Sequence, residues 1–132
     1  MNTVVDIDEN PTPNGTLALQ TVAMPADTNP NGDIFAGWLM SQMDLAGYIM
    51  AKDIAKGRVT TVSVGSMVFL KPVPVGATVA CYAECIDVGR SSITTRVEVW
   101  TSVPGEADST KITEADFVFV AIDDNRRTRP IG

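Results

Sequence analysis

Residues Ile34 to Ala55 read IFAGWLMSQMDLAGYIMAKDIA, and this stretch decides the fold. Trp38, Leu39, Met43, Leu45, Ile49 and Ile54 fall on every side of a helical wheel, so the segment is expected to form a helix buried on most sides. Gly57 stands where the helix should close, and Lys52 and Lys56 lie in its last turns, where cations complement the backbone dipole. Between Ile34 and Ala51 there is one charged residue, Asp44.

Working outward, Thr16 to Met24 alternates apolar and polar residues and stops at Pro25, which predicts a first strand. A polar loop from Ala26 to Asp33 joins it to the helix. Downstream, Val59 to Leu70, Thr78 to Val88, Ser92 to Val103 and Lys111 to Ile122 are rich in Val, Ile and Thr. They are separated by Pro72-Val73-Pro74-Val75-Gly76, Gly89 and Pro104-Gly105. Four strands with such connections predict an antiparallel meander. The expected class is α+β, a curved antiparallel sheet wrapped around one long central helix. Residues 15–123 make the domain. Before it, residues 1–14 (Asp6, Asp8, Glu9, Pro11, Pro13) read as a flexible acidic arm, and 124–132 read as a basic C-terminal tail.

The totals narrow the function. With 132 residues, 45% of them hydrophobic, the chain suits one domain with a substantial core. It has no uncharged apolar run of membrane-spanning length and no basic start of the kind a signal peptide needs, so a cytoplasmic location without membrane association is expected. Cys81 and Cys85, four apart along a strand, are too distant to bridge, which suits a reducing compartment. A net charge of −6 disfavours a nucleic-acid partner. The chain contains no histidine. That absence removes Ser-His-Asp and Cys-His nucleophile systems and His-based metal sites, leaving carboxylates, amides and backbone dipoles to carry any chemistry.

Asp44 is the first candidate. An ionised carboxylate in an oily helix is expensive to bury without a partner. It is retained either for structure, paired with an arginine or capping a backbone turn, or for reactivity as a general base or nucleophile. Its helical face carries Gly37, Ser41, Gly47 and Ala51, small residues that admit a slim ligand such as a pantetheine arm or, equally, another packed backbone. The second candidate is the loop Asp27-Thr28-Asn29-Pro30-Asn31-Gly32-Asp33, which runs into Ile34-Phe35-Ala36-Gly37-Trp38. It reads as an ordinary loop and cap, or as an anion hole made by the amides around Ala36, Gly37 and Trp38, with Asn29 orienting a carbonyl or a water. Seven residues separate Gly37 from Asp44 by about 10 Å along one helix. A two-fold dimer with antiparallel central helices would therefore set Asp44 of one chain near Gly37 and Asn29 of the other.

Val88-Gly89-Arg90-Ser91-Ser92 sits at a strand junction. It is a hairpin turn with an exposed arginine, or a place where Arg90 and the hydroxyls of Ser91 and Ser92 meet phosphate or pantetheine. Lys56, Arg58, Lys71 and the cluster Arg126, Arg127 and Arg129 are further cations that either stay solvated or hold a polyanionic nucleotide.

Taken together, Ala23 to Asp44 (AMPADTNPNGDIFAGWLMSQMD), Lys56-Gly57-Arg58-Val59, Met67 to Pro72, Val88 to Ser92 and Val97-Glu98-Val99-Trp100 resemble the YciA-type acyl-CoA thioesterases of the hotdog superfamily. The resemblance runs over nearly all of Gly15 to Ile122. It implies hydrolysis of acyl-CoA thioesters to a free acid and CoA, a role in lipid metabolism, hotdog dimers assembled into a homohexamer, and neither metal nor cofactor beyond the CoA of the substrate. Residue by residue, the family's catalytic aspartate falls on Asp44, its asparagine on Asn29 and its helix-start glycine on Gly37. CoA contacts fall near Arg90, Ser91 and Ser92, with Arg58 a further candidate. Two positions depart from the family pattern: Ala36 stands where Gly is usual, which bears on acyl preference, and Lys56 where His is usual. A hotdog module that binds acyl-CoA without turnover and a hydratase acting on an enoyl thioester are the rival functions. The retained Asn29, Gly37 and Asp44 argue against the first, and the missing histidine against the second.

Overall fold

The long apolar stretch forms α1 (Ala36–Ala55), and the Val- and Thr-rich runs form strands around it. The computed structural model describes residues 12–131. Its strands are β1 (Thr16–Val22), β2 (Val59–Val64), β3 (Thr78–Val88), β4 (Ser92–Ser102) and β5 (Thr110–Ala121). They make one antiparallel sheet in the order β1-β3-β4-β5-β2. The sheet curves around α1, which packs on all five strands.

Only β3, β4 and β5 are the meander expected; β2 pairs with β5 at the far edge and not with β3. The thirteen residues between β2 and β3 contain Pro72 and Pro74, too long and too stiff a link for a hairpin. β2 also stops at Val64, short of the expected Leu70. Gly65 donates to Asp116 O at 2.8 Å, and beyond it only Leu70 N–H to Ile112 O and Thr113 Oγ1 to Val68 O keep the chain beside β5.

Register places alternate β4 residues against the helix. Ile93, Val97 and Val99 are fully buried there, with Phe117 and Phe119 of β5, and each buried Phe contributes about 1.5–3 kcal/mol. Gly47 lets α1 approach this layer. A Cβ at Gly47 would stand 2.8 Å from Thr95 Oγ1 and 3.0 Å from the Phe119 ring. Its smallness therefore serves packing within the chain. Cys81 and Cys85 are both free, and burial pushes the Cys81 thiol up to about 12.

α1 is less enclosed than its composition suggests. Leu39, Met43, Ala46, Ala51 and Ala55 face the sheet, whereas Phe35, Met40 and Leu45 are 49%, 38% and 48% exposed. One chain covers only one side of an all-round apolar helix. The helix ends at Ala55 as expected, but Lys56 and not Gly57 takes the left-handed conformation that closes it (φ 54°). Gly57 has another reason to be small: a Cβ there would lie 2.7 Å from Arg129 Nη2.

Both ends of the described chain are tied down. Residues 1–11 of the expected arm lie outside the described residues, but Asn14 donates from its backbone N–H and Nδ2 to the Glu98 carboxylate at 3.3 and 3.0 Å. The basic tail folds back in a bridge between Ile122 and Thr128. Arg129 Nη2 then donates to Ala55 O at 3.0 Å and satisfies an orphan carbonyl at the C-terminus of α1.

Candidate active site

Asp44 projects from the middle of α1 toward β2, where Thr61 Oγ1 donates to Asp44 Oδ1 at 2.6 Å. Asp44 is half-buried and makes no ion pair with a described residue. The structural alternative weighed above, an internal pair with an arginine or a cap on a distant turn, is therefore absent among the described residues. Oδ2 has no partner among the described residues. Thr61 went unnoticed in the sequence because a Val- and Thr-rich strand gives it no distinguishing signal.

At the other end of the site, α1 begins without a side-chain cap: Phe35 is the N-cap residue. Trp38 N–H donates to Phe35 O at 3.1 Å, so its amide is not available as the sequence suggested. Among the described residues nothing accepts from the amides of Ala36 and Gly37, which leaves two donors aligned with the positive end of the helix dipole. Gly37 has ordinary helical backbone, and a Cβ added there would meet nothing within 4 Å. Neither conformation nor packing within the chain explains a residue that costs about 1 kcal/mol in a helix relative to Ala. Its bare surface is open to whatever approaches from outside.

Asn29 shapes the preceding loop as the bland reading had it. Its Oδ1 accepts from Asn31 N–H at 2.9 Å and Asp33 N–H at 3.1 Å, and its own N–H donates to Asp33 O. This use of the carbonyl end fixes the side chain and turns Nδ2, which has no described partner, into a positioned donor. Asn29 lines a cleft of about 200 Å³ with Ala36, Leu39, Phe69, Lys71 and Pro72. Ala36 thus borders the same space as Asn29.

Within one chain Asn29 and Ala36 line one cleft, Gly37 follows Ala36 in the helix, and Asp44 stands seven residues beyond Gly37, about 10 Å of helix. Arg58, Arg90 and Ser91 gather at another end of the molecule. Ala121 N–H donates to Ser91 O, Ile122 N–H to Arg58 O and Ile131 N–H to Arg90 O, each within 3.0 Å. In the β3–β4 turn, Gly89 N–H donates to Ser92 O, and a Cβ at Gly89 would lie 2.7 Å from Ser92 Oγ. That hydroxyl is tucked into its own turn, and Arg90 is exposed. Among the described residues no three His, Cys, Asp or Glu side chains converge as metal ligands, and no helix is long and apolar enough to cross a membrane.

Comparison with known proteins converges on one family. The sequence pattern of the Thioesterase superfamily matches residues 31–107. The acyl-CoA thioester hydrolase YciA of Salmonella typhimurium is 55% identical over 123 residues, covering 91% of this chain and 92% of its own length. A hexameric broad-specificity acyl-coenzyme A thioesterase, solved as an aspartate-to-alanine mutant enzyme, superposes with a TM-score of 0.86 at 54% identity, over 89% of this chain and 87% of that one. A hexameric hotdog-fold thioesterase of Campylobacter jejuni gives 0.84 at 39% identity, over 89% and 91%. A curved antiparallel sheet around one long helix is thus shared ground, and this chain belongs to the thioesterase superfamily with the hotdog fold.

Proposed function

We propose that the protein hydrolyses acyl-CoA thioesters to a carboxylic acid and CoA, with Asp44 as the group that activates attack. One observation carries the assignment. The single carboxylate in the first sixteen residues of α1 is oriented by Thr61 Oγ1 at 2.6 Å, and its second oxygen has no partner among the described residues. A carboxylate held that way is a positioned base or nucleophile. The Gly37 N–H suits the developing charge on a thioester oxygen, because a donor fixed at a helix N-terminus needs no reorganisation as the charge forms. Nδ2 of Asn29 is the second donor, available to the carbonyl or to the attacking water. With Asp44 as the base the atoms balance: water gives it a proton as its oxygen bonds the carbonyl carbon, the C–S bond breaks, and the CoA sulfur leaves as a thiolate that takes that proton back from Asp44.

The 10 Å between Asp44 and the Gly37 end is closed by a second subunit. Phe35 at the N-cap, Met40 and Leu45 on α1, and Val62 and Val64 on the outer strand β2 leave apolar ground exposed along the helix and the sheet edge. Burying such ground between two copies favours association, and the free edge of β2 is a ready pairing surface. A two-fold there sets the helices antiparallel and brings Asp44 of one copy to Asn29 and Gly37 of the other. The relatives described as hexameric support a trimer of such dimers. Arg58, Arg90, Ser91 and Ser92 are the residues we assign to the CoA end of the substrate; no metal or separate cofactor enters the scheme.

The test is thiol release from short, medium and long acyl-CoAs. Asp44→Ala should lower kcat by at least about 100-fold while keeping the far-UV spectrum and oligomer size of the parent. Undiminished turnover by the folded variant contradicts the assignment.

A further inference from the structure

The link between β2 and β3 is pinned along its length. Gly65 N–H donates to Asp116 O, Thr113 Oγ1 to Val68 O and Leu70 N–H to Ile112 O, all within 2.8 Å, so its first half lies along β5. Its second half is stitched to the loop before α1: Ile34 N–H donates to Val73 O at 2.9 Å, and Asp33 bridges to Pro74. Between those anchors the side chains alternate, as extended backbone requires. Val68 and Leu70 stand outward, 71% and 65% exposed, whereas Met67 and Phe69 pack against the core and Val73 is buried.

The inward residues of this link and the start of α1 enclose the cleft of about 200 Å³ that Asn29 borders. Ile34, Leu39 and Val73 are its buried floor. Phe69 and Ala36 are less enclosed and form its sides, and the polar Asp33 and Lys71 of the lining are also more exposed than the floor. An apolar floor beneath a polar mouth suits a short apolar group carried on a polar one.

A thioester has two arms, and only one of them ends. The CoA arm continues past the reacting carbonyl to its nucleotide, so it cannot terminate against a floor of buried residues, whereas an acyl chain can. The entrance also matches: Asn29 lines the cleft, and Gly37 follows Ala36 in the helix. A carbonyl held by Asn29 Nδ2 and the Gly37 N–H therefore stands where the cleft begins.

We infer that this cleft receives the acyl chain, and that Phe69 and Ala36 set the length it accepts. The inference rests on the acyl-CoA reading and adds to it a specificity wall supplied by the β2–β3 link. At about 30 Å³ for each methylene-sized group, the space takes about six carbons beyond the carbonyl. Longer chains must run out past the walls into solvent.

The experiment measures thiol release from acetyl-, butanoyl-, hexanoyl-, octanoyl- and dodecanoyl-CoA by the parent, Ala36→Leu and Phe69→Ala. A methylene taken wholly out of water favours binding about fourfold, and about twofold in a cleft that leaves one side wet. The parent kcat/KM should therefore rise about twofold per methylene and level off near octanoyl-CoA. Ala36→Leu fills the entrance and should lower the octanoyl-to-acetyl ratio at least about tenfold. Phe69→Ala removes a side wall and should raise the dodecanoyl-to-octanoyl ratio about tenfold. Because each ratio is taken within one enzyme, partial misfolding lowers both arms and leaves it in place. Should Phe69→Ala not fold at all, Ala36→Leu decides alone, since that position is exposed. A chain-length profile that the folded variants share with the parent overturns the assignment, as does a parent profile flat from acetyl to dodecanoyl; in both cases thioester hydrolysis itself stands. No thiol from any acyl-CoA removes the acyl-CoA reading and this inference with it.

Discussion

Asp44 and Thr61 form a hydrogen-bonded pair, and in the proposed mechanism the hydroxyl acts through the carboxylate. The 2.6 Å contact restrains the rotation of the carboxylate, and Oδ2 has no partner among the described residues. Thr61→Val keeps the shape and removes the donor, so kcat should fall about tenfold to a hundredfold with little change in KM, while Thr61→Ser recovers most of the loss. Steady-state kinetics on the three proteins separates this from a general loss of stability, which would lower the active fraction in both variants. Thr95 is the opposite case, a hydroxyl with no partner among the described residues although it is fully buried beneath Gly47. A buried polar group left unpaired costs about 1–3 kcal/mol. Thr95→Val removes it at nearly constant volume and should leave the protein as stable or raise its stability by about 1 kcal/mol, read from urea unfolding midpoints; a loss of more than that would show that the hydroxyl has a partner.

At the scale of elements, the C-terminus of α1 carries two tensions that the structure resolves unequally. Lys56 occupies the left-handed cap position usually given to glycine, and Lys56→Gly should raise the thermal midpoint by a few degrees, about 0.5–1 kcal/mol, through relief of that strain. A lower midpoint would mean that the lysine side chain contributes more than the strain costs. The neighbouring Gly57 is small because Arg129 reaches past it to Ala55 O, a contact that spans 74 positions and that no local pattern announces. Much else here was legible: the helix, the five strands and the sheet wrapped around the helix follow from hydrophobic period and from glycine and proline punctuation. The place of β2 at the far edge was not, because strand order depends on which long connection crosses the sheet. Asn29, Gly37 and Asp44 were singled out by their motifs, yet Thr61 emerges only from geometry, since it is a common strand residue. The face of α1 sorted itself in space as well: Gly47 serves the core, and Gly37 serves nothing inside the chain.

The whole molecule is incomplete as a single copy. An all-round apolar helix sheathed on one side, an edge strand carrying exposed Val62 and Val64, and a carboxylate about 10 Å from its complementary donors are one problem seen three ways. A two-fold partner resolves all three, and the central claim is that each active centre draws Asp44 from one copy and Asn29 with Gly37 from the other. Subunit mixing tests it most directly. Asp44→Ala and Asn29→Ala proteins, each severely impaired alone, are denatured together and refolded as hybrids, and thiol release from an acyl-CoA is measured. Composite centres predict recovery to about a quarter of the parent rate, because half of the dimers are mixed and each mixed dimer holds one intact centre beside one doubly defective one. If hybrids of confirmed composition stay as slow as the two single variants, every centre draws all its residues from one chain, and the account is contradicted.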